Sequence, residues 1–202
     1  MSNATRAIKE WARTAKDEFN QLDGVQGDGD LGVTVELMAE ALDKAAEQTT
    51  DLKTWLMVGG ALVRRQAPST MGVLLSFALN AAGRFLPEGA ESSAETWGVI
   101  QQQMIEEIKK RGGAELGDRT VLDAFIPASA AYRQHILAGD SLPLALEKAT
   151  LAAREGAEST KSILPKTGRS RWVGDRVIGE VDGGAWLCYK VYQTLSHFFT
   201  SP

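Results

Sequence analysis

Three aspartates, Asp23, Asp28 and Asp30, lie within eight residues in the glycine-rich stretch NQLDGVQGDGDLGVTVE, residues 20–36. Carboxylates this close repel one another unless a cation lies among them, and oxygen ligands suit a hard cation such as Mg²⁺ or Ca²⁺. An ordinary turn is the alternative, because Asp and Gly are common turn residues. An EF-hand is excluded, since the sixth position from Asp23 is not Gly and the twelfth is Thr34 instead of Glu.

The aspartate stretch leads into a predicted helix at Gly32, Val33 and Thr34. A helix N-terminus offers free N–H groups and the positive end of the helix dipole, which suit phosphate. A metal site beside a phosphate site indicates a nucleotide held partly through Mg²⁺. The sequence has neither a P-loop nor a strand-linked G-x-G-x-x-G motif, so these motifs identify no nucleotide-binding fold.

Two further segments could contact a ligand. In APSTMGVLLSF, Ser69 or Thr70 can cap a helix, and the same helix start could contact phosphate. The second segment, TGRSRWVGDRVIGEVDGGAW at residues 167–186, is a long irregular stretch with arginines suited to phosphate or to a nucleobase face. A solvated connector is the alternative for this second segment.

The sequence offers no evident nucleophile, and no catalytic residue is assigned. His135 and His197 are far in sequence from these loops, and Cys188 follows the helical spacing of a buried thiol. The chain therefore lacks an obvious Ser–His or Cys–His pair.

Composition narrows the class of protein. The chain has 202 residues and a net charge of −4, with no basic run, which argues against a nucleic-acid partner. It has no apolar run of membrane-spanning length and no signal peptide pattern at residue 1, so we expect no membrane association. One cysteine cannot form an internal disulfide, and a reducing cytoplasm is the expected compartment.

Apolar residues recur at helical spacing along almost the whole chain, and strand candidates are nearly absent. Eight helices are predicted, near residues 8–22, 33–45, 55–62, 70–84, 95–108, 120–137, 142–163 and 183–198. Ser92 and Glu95 predict a capping box for the fifth helix, and Gly139 a stop for the sixth. The predicted fold is all-α: a single domain, residues 1–202, forming an eight-helix antiparallel barrel or bundle.

Three segments together resemble the L subunit of phosphotransferase-dependent dihydroxyacetone kinase and the matching domain of ATP-dependent dihydroxyacetone kinases. They are LDGVQGDGDLG, GDRTVLDAFIPA and GRSRWVGDRVIGEVDGGA, in the family's order, spanning residues 20–186. The resemblance implies an eight-helix barrel that binds ADP or ATP through Mg²⁺ at one end.

The resemblance also implies a role for each matching residue. The metal ligands would be Asp23, Asp28 and Asp30. The phosphate contacts would be Leu31, Gly32, Val33 and Thr34, with Thr70 and Met71 from the next segment. Gly112, Val121 and Arg169 would lie near the base, and Asp182, Gly183 and Gly184 match a family turn.

In the resembling family the substrate is held covalently on a histidine of a separate K subunit or domain, and the L subunit presents the phosphoryl group. A K-type partner is therefore expected. Where the donor is a phosphotransferase-system protein, ADP stays bound and is rephosphorylated in place. A homodimer is left open.

Three departures from the family pattern stand out: Leu31 and Glu180 replace histidines, and Met71 replaces a serine. The metal ligands are kept while two polar groups beside the phosphates are lost. Two other interpretations therefore remain open: a regulatory module that binds nucleotide without transferring phosphate, and an all-α scaffold whose acidic loop binds Ca²⁺ for stability.

Overall fold

A computed structural model describes residues 2–25, 27–167 and 174–200. Within these ranges the chain forms eight α-helices and no strand. The helices are α1 Ser2–Gly24, α2 Leu31–Gln48, α3 Leu52–Gln66, α4 Thr70–Phe85, α5 Ala94–Gly112, α6 Val121–Leu137, α7 Leu142–Ser159 and α8 Gly183–Thr200. Short 3₁₀ turns cover Thr160–Ser162 and Gly174–Val177. The predicted all-α class and the helix count are confirmed.

Side-chain caps explain several of the helix starts. Ser69 accepts a hydrogen bond from the amide of Gly72 at the start of α4, and Thr120 forms a capping box with Asp123 at α6. The capping box predicted at α5 is wrong by one residue. Ser93 caps that helix, whereas the Ser92 hydroxyl accepts a hydrogen bond from the Trp97 indole at 3.0 Å.

Two helix ends show how local signals and tertiary contacts compete. Helix α6 ends as predicted, with Gly139 in the left-handed region at φ 83°. Helix α7 stops at Ser159, earlier than the predicted end near residue 163, and the chain tightens into a 3₁₀ turn. Thr160 is fully buried there, and its carbonyl accepts a hydrogen bond from the Arg119 side chain. A long-range contact therefore replaces the next turn of α7.

The helices close into a ring, because each one packs on the next and α8 returns to contact α1. The core lies in two apolar clusters, one mainly from α1 to α4 and the other mainly from α5 to α8. Many of the buried residues are alanines, which let neighbouring helices approach closely. Among the described residues, no helix combines the length and apolarity that crossing a bilayer requires.

Candidate metal and nucleotide site

The three aspartates of the glycine-rich loop come together at one end of the ring. Each offers a carboxylate oxygen, and these oxygens all lie within 4.8 Å of one another. Asp23 belongs to the last turn of α1, and its Oδ2 accepts hydrogen bonds from the amides of Gly29 at 2.9 Å and Asp30 at 3.1 Å. The loop therefore lies between Gly24 and Leu31, and Asp23 holds its far end in place.

The spacing of the three carboxylate oxygens can be compared with the spacing of ligands around Mg²⁺ and Ca²⁺. Oxygens on opposite sides of Mg²⁺ are about 4 Å apart, and around Ca²⁺ about 5 Å apart. The 4.8 Å span therefore fits Ca²⁺ directly and Mg²⁺ after a contraction of less than about 1 Å. Asp28 and Asp30 are exposed, which leaves room for that movement. The cluster suits a hard cation.

The start of α2 is bound to the end of α1 through Asn20. Its Oδ1 accepts hydrogen bonds from the amides of Gly32 at 2.8 Å and Val33 at 3.3 Å. The expectation that these N–H groups are free is therefore wrong, because a side chain from α1 already occupies them. A Cβ at residue 32 would lie 1.9 Å from the Lys16 carbonyl oxygen, so only glycine permits this approach.

A cleft of about 360 Å³ opens beside the aspartates. One wall includes Asp28, Asp30, Val33 and Thr34, and the other runs from Ala67 to Thr70 at the start of α4. The structure thus brings together the aspartate loop and the second predicted phosphate segment. Of the residues expected to contact phosphate, Val33, Thr34 and Thr70 line this cleft.

The paired glycines at the start of α8 lie against the starts of three other helices. A Cβ at residue 183 would be 2.7 Å from Leu31 Cδ2 in α2. A Cβ at residue 184 would be 2.8 Å from Met71 Cε in α4 and 3.4 Å from Val121 Cβ in α6. The first turns of four helices therefore meet at one place, and their positive dipole ends favour a bound anion.

Asp182 precedes this meeting point and caps α8. Its Oδ1 accepts a hydrogen bond from the amide of Ala185 at 2.9 Å. Burial raises the pKa of the Asp182 carboxyl to about 6, although the Ala185 bond and the charge of Arg119 favour ionisation. Nearby Asp123 adds to the rise. The site thus holds a carboxylate that is costly to keep charged.

One predicted nucleotide residue, Gly112, is not joined to this cluster. Gly112 is exposed at the end of α5, where a Cβ would approach only Ala114, at 4.0 Å. Arg169 lies outside the described residues. Glu180, the third departure from the family pattern, is exposed, and its carbonyl accepts hydrogen bonds from Arg119.

His135 and Cys188 do not line this cleft. His135 is in the last turn of α6, at the other end of the ring, with its Nδ1 2.7 Å from Asp140 Oδ2. Cys188 is half-buried in the second apolar cluster, and desolvation raises the pKa of its thiol. A protonated thiol in apolar surroundings agrees with the interpretation of Cys188 as structural.

Sequence reasoning missed Asn20 and Arg119. Asn20 lies in the glycine-rich stretch of residues 20–36, yet nothing in the neighbouring sequence shows that its amide oxygen reaches α2. Arg119 is within the GDRT segment and has 1% of its surface exposed, whereas arginines are almost always found at the surface. Both act through contacts between segments, and such contacts have no sequence periodicity.

Comparison with known proteins gives an independent result. The sequence model of the DAK2 domain matches residues 25–197. L-erythrulose kinase of Pectobacterium atrosepticum is 33% identical over 191 residues, which cover 91% of this chain and 32% of that protein. The PEP-dependent dihydroxyacetone kinase 2 ADP-binding subunit DhaL of Listeria innocua is 29% identical over 185 residues, covering 87% of this chain and 84% of the subunit.

A solved structure shares the fold. The dihydroxyacetone kinase of C. freundii in complex with AMP-PNP and Mg²⁺ superimposes with a TM-score of 0.74 at 27% identity. The match covers 98% of this chain and 33% of that one. The chain thus spans about a third of the length of the kinases just named, and most of the length of the DhaL subunit.

Proposed function

The chain belongs to the DAK2 domain family, and from that premise we propose that it is a phosphotransferase component that binds Mg-ADP or Mg-ATP. It would pass a phosphoryl group to a small hydroxy-ketone or sugar held on a separate K-type subunit or domain. Residues 1–202 would act as one nucleotide-binding domain. ADP or ATP and Mg²⁺ are the proposed cofactors.

One observation carries the proposal: the aspartate cluster adjoins the cleft at the end of the ring where four helix starts meet. Asp28 and Asp30 line the same cleft as Thr34 and Thr70. A chain of phosphates is stabilised by a cation and by the positive ends of helix dipoles, and this end of the ring offers both. The volume of the cleft, about 360 Å³, is at the lower end of the range for ligand pockets.

The residues of the chain would act by positioning and electrostatics. Asp23, Asp28 and Asp30 would hold Mg²⁺, which neutralises phosphate charge when bound. The positive dipole ends of α2 and α4 would attract the phosphate oxygens. No histidine or cysteine lines the described part of the cleft, and the proposed transfer is direct, between the nucleotide and the acceptor.

The names of two relatives support a proposal for the acceptor and the donor. One relative is named an L-erythrulose kinase and another an ADP-binding subunit of a PEP-dependent kinase. A short-chain ketose is therefore the proposed acceptor class. The donor is ATP, or a phosphotransferase-system protein that rephosphorylates bound ADP.

A regulatory module of the same fold is the second candidate, and Leu31 and Met71 favour it. Both side chains are apolar, and both lie against the first turn of α8, where a transferring phosphate would need donors. Such a chain would keep nucleotide affinity and lack transfer. A scaffold stabilised by Ca²⁺ would show neither.

The test is a thermal-unfolding titration of nucleotide-free protein with Mg-ADP, followed by a coupled kinase assay with a K-type partner. Ligand at about a hundred times its dissociation constant should stabilise the folded state by about 2.7 kcal/mol. Binding with transfer supports the proposed function, and binding without transfer supports the regulatory module. A melting temperature that Mg-ADP and Mg-ATP leave unchanged would overturn both.

A further inference from the structure

Arg119, just before α6, is buried in an unusual way. It is the largest fully buried side chain among the described residues. Among the same residues, it is also the one non-glycine residue with a positive φ, 61°. Arginine is rarely buried, and a left-handed backbone is uncommon for residues other than glycine. Such conformations persist only where the surrounding structure enforces them, and they cluster at functional sites.

The guanidinium of Arg119 joins two segments that flank the start of α8. Nη1 donates to the carbonyl oxygens of Thr160 at 3.2 Å and Glu180 at 3.3 Å. Nη2 donates to those of Val177 and Glu180, both at 3.1 Å. The Asp182 amide also donates to Thr160 Oγ1, at 2.8 Å. One side chain thus ties the end of α7 to the residues that enter α8.

These bonds hold the segment that leads into α8. Glu180 is two residues before Asp182, whose carboxylate caps α8. The next residues, Gly183 and Gly184, contact Leu31 and Met71 at the starts of α2 and α4. A shift of the segment held by Arg119 would therefore move the start of α8 against the helix starts that flank the cleft.

We propose that Arg119 is a positioning residue for the nucleotide site: it holds the 177–182 segment so that the first turn of α8 stays registered against those of α2 and α4. Arg119 is not among the residues that line the cleft. This inference rests on the proposed function, since it needs a bound nucleotide.

Substitution can distinguish the effect of the Arg119 charge from that of the forked arrangement of its guanidinium N–H donors. Arg119→Gln removes the charge and most of the donors, whereas Arg119→Lys keeps the charge on a single nitrogen that cannot match the fork. We expect Arg119→Gln to raise the Mg-ADP dissociation constant about 10- to 100-fold, as loss of an orienting partner does at metal sites. Arg119→Lys should fall between wild type and Arg119→Gln.

The experiment is calorimetric titration with Mg-ADP, and separately with Mn²⁺ alone, at a temperature where every variant is folded. Mn²⁺ reports the aspartate cluster, which lies on a different segment from the carbonyl oxygens that Arg119 binds, so the Mn²⁺ affinity should change less than about twofold. A purely structural role predicts equal losses for Mn²⁺ and Mg-ADP, or no loss at all. Arg13→Gln makes the same change in an exposed pair with Glu40 and should leave both affinities unchanged.

Tyr132→Phe serves as a destabilising control, because it removes a buried hydrogen bond to the Ala94 carbonyl at the start of α5. It should lower the melting temperature and leave the Mg-ADP affinity intact. Wild-type affinity in Arg119→Gln, or in Arg119→Lys if the glutamine variant does not fold, overturns the positioning role alone. Absence of Mg-ADP binding to the wild type overturns the proposed function and this inference with it.

Discussion

The Asn20 side chain accepts a hydrogen bond from the amide of Gly32 at 2.8 Å and so joins the last full turn of α1 to the first turn of α2. The residues between these two points carry the three aspartates. Asn20 therefore closes the base of the candidate metal loop and caps α2 from a neighbouring helix.

Replacing Asn20 by alanine should lower the free energy of unfolding by about 1 kcal/mol, the typical effect of losing a helix cap. The same change should weaken Mn²⁺ binding, because Asp30 adjoins the released helix start. Urea unfolding and a Mn²⁺ titration measure the two effects. Asn3→Ala, an exposed position near the start of α1, is the matched control. Unchanged stability and Mn²⁺ affinity in Asn20→Ala would show that the bond positions nothing.

Asp30→Asn should weaken Mg-ADP binding, because it removes one of three candidate ligands. Two opposed terms enter its effect on the stability of the apo protein. Repulsion from Asp23 and Asp28 is relieved, while a favourable charge at the N-terminus of α2 is lost. We expect apo stability within about 0.5 kcal/mol of wild type, since each term is small at an exposed position. Calorimetric titration and urea unfolding test this, and wild-type affinity would show that Asp30 is not a ligand.

Leu31→His should accelerate phosphoryl transfer. The Leu31 side chain lies against Gly183, and it can donate no hydrogen bond to a group held there. Restoring one preorganised donor beside a transferring group is worth about 10²–10³ in rate. A coupled kinase assay with a K-type partner compares the two proteins, with the Mg-ADP dissociation constant as the control on binding. Ordinary kinase rates in wild type, or slower transfer in the variant, would contradict this prediction.

The pH dependence of the free energy of unfolding should include a contribution from protonation of the Asp182 carboxyl. Its pKa is raised in the folded protein to about 6, above the ordinary 3.8, so the folded state binds this proton more tightly than the unfolded state. Stability contributed by protonation is therefore absent at pH 7 and appears as the pH falls through 6 toward 4. It cannot exceed about 3 kcal/mol, at about 1.4 kcal/mol per unit of pKa difference.

Asp182→Asn isolates this contribution, because asparagine does not titrate. The difference in unfolding free energy between wild type and variant, measured by urea unfolding from pH 7 to 4, should shift in favour of wild type as the pH falls. A difference that is constant with pH would show that the Asp182 carboxyl has the same pKa in both states.

Local regularities allowed the sequence to predict the all-α class, the eight helices and the aspartate cluster. Helical periodicity depends on residues three and four apart, and the caps at Ser69 and Thr120 act within three residues. Asp23, Asp28 and Asp30 are close in the chain, so a short glycine-rich loop brings them together whatever the rest of the fold does.

Only the tertiary structure decided the arrangement around that cluster. The contacts of Leu31 with Gly183 and of Met71 with Gly184 join residues far apart in sequence, and they exist because the ring of helices closes. The burial of Arg119 and the bond between Asn20 and Gly32 arise in the same way. Each depends on how close two helices approach, and that distance is set by packing across the whole ring and leaves no periodic pattern in the chain.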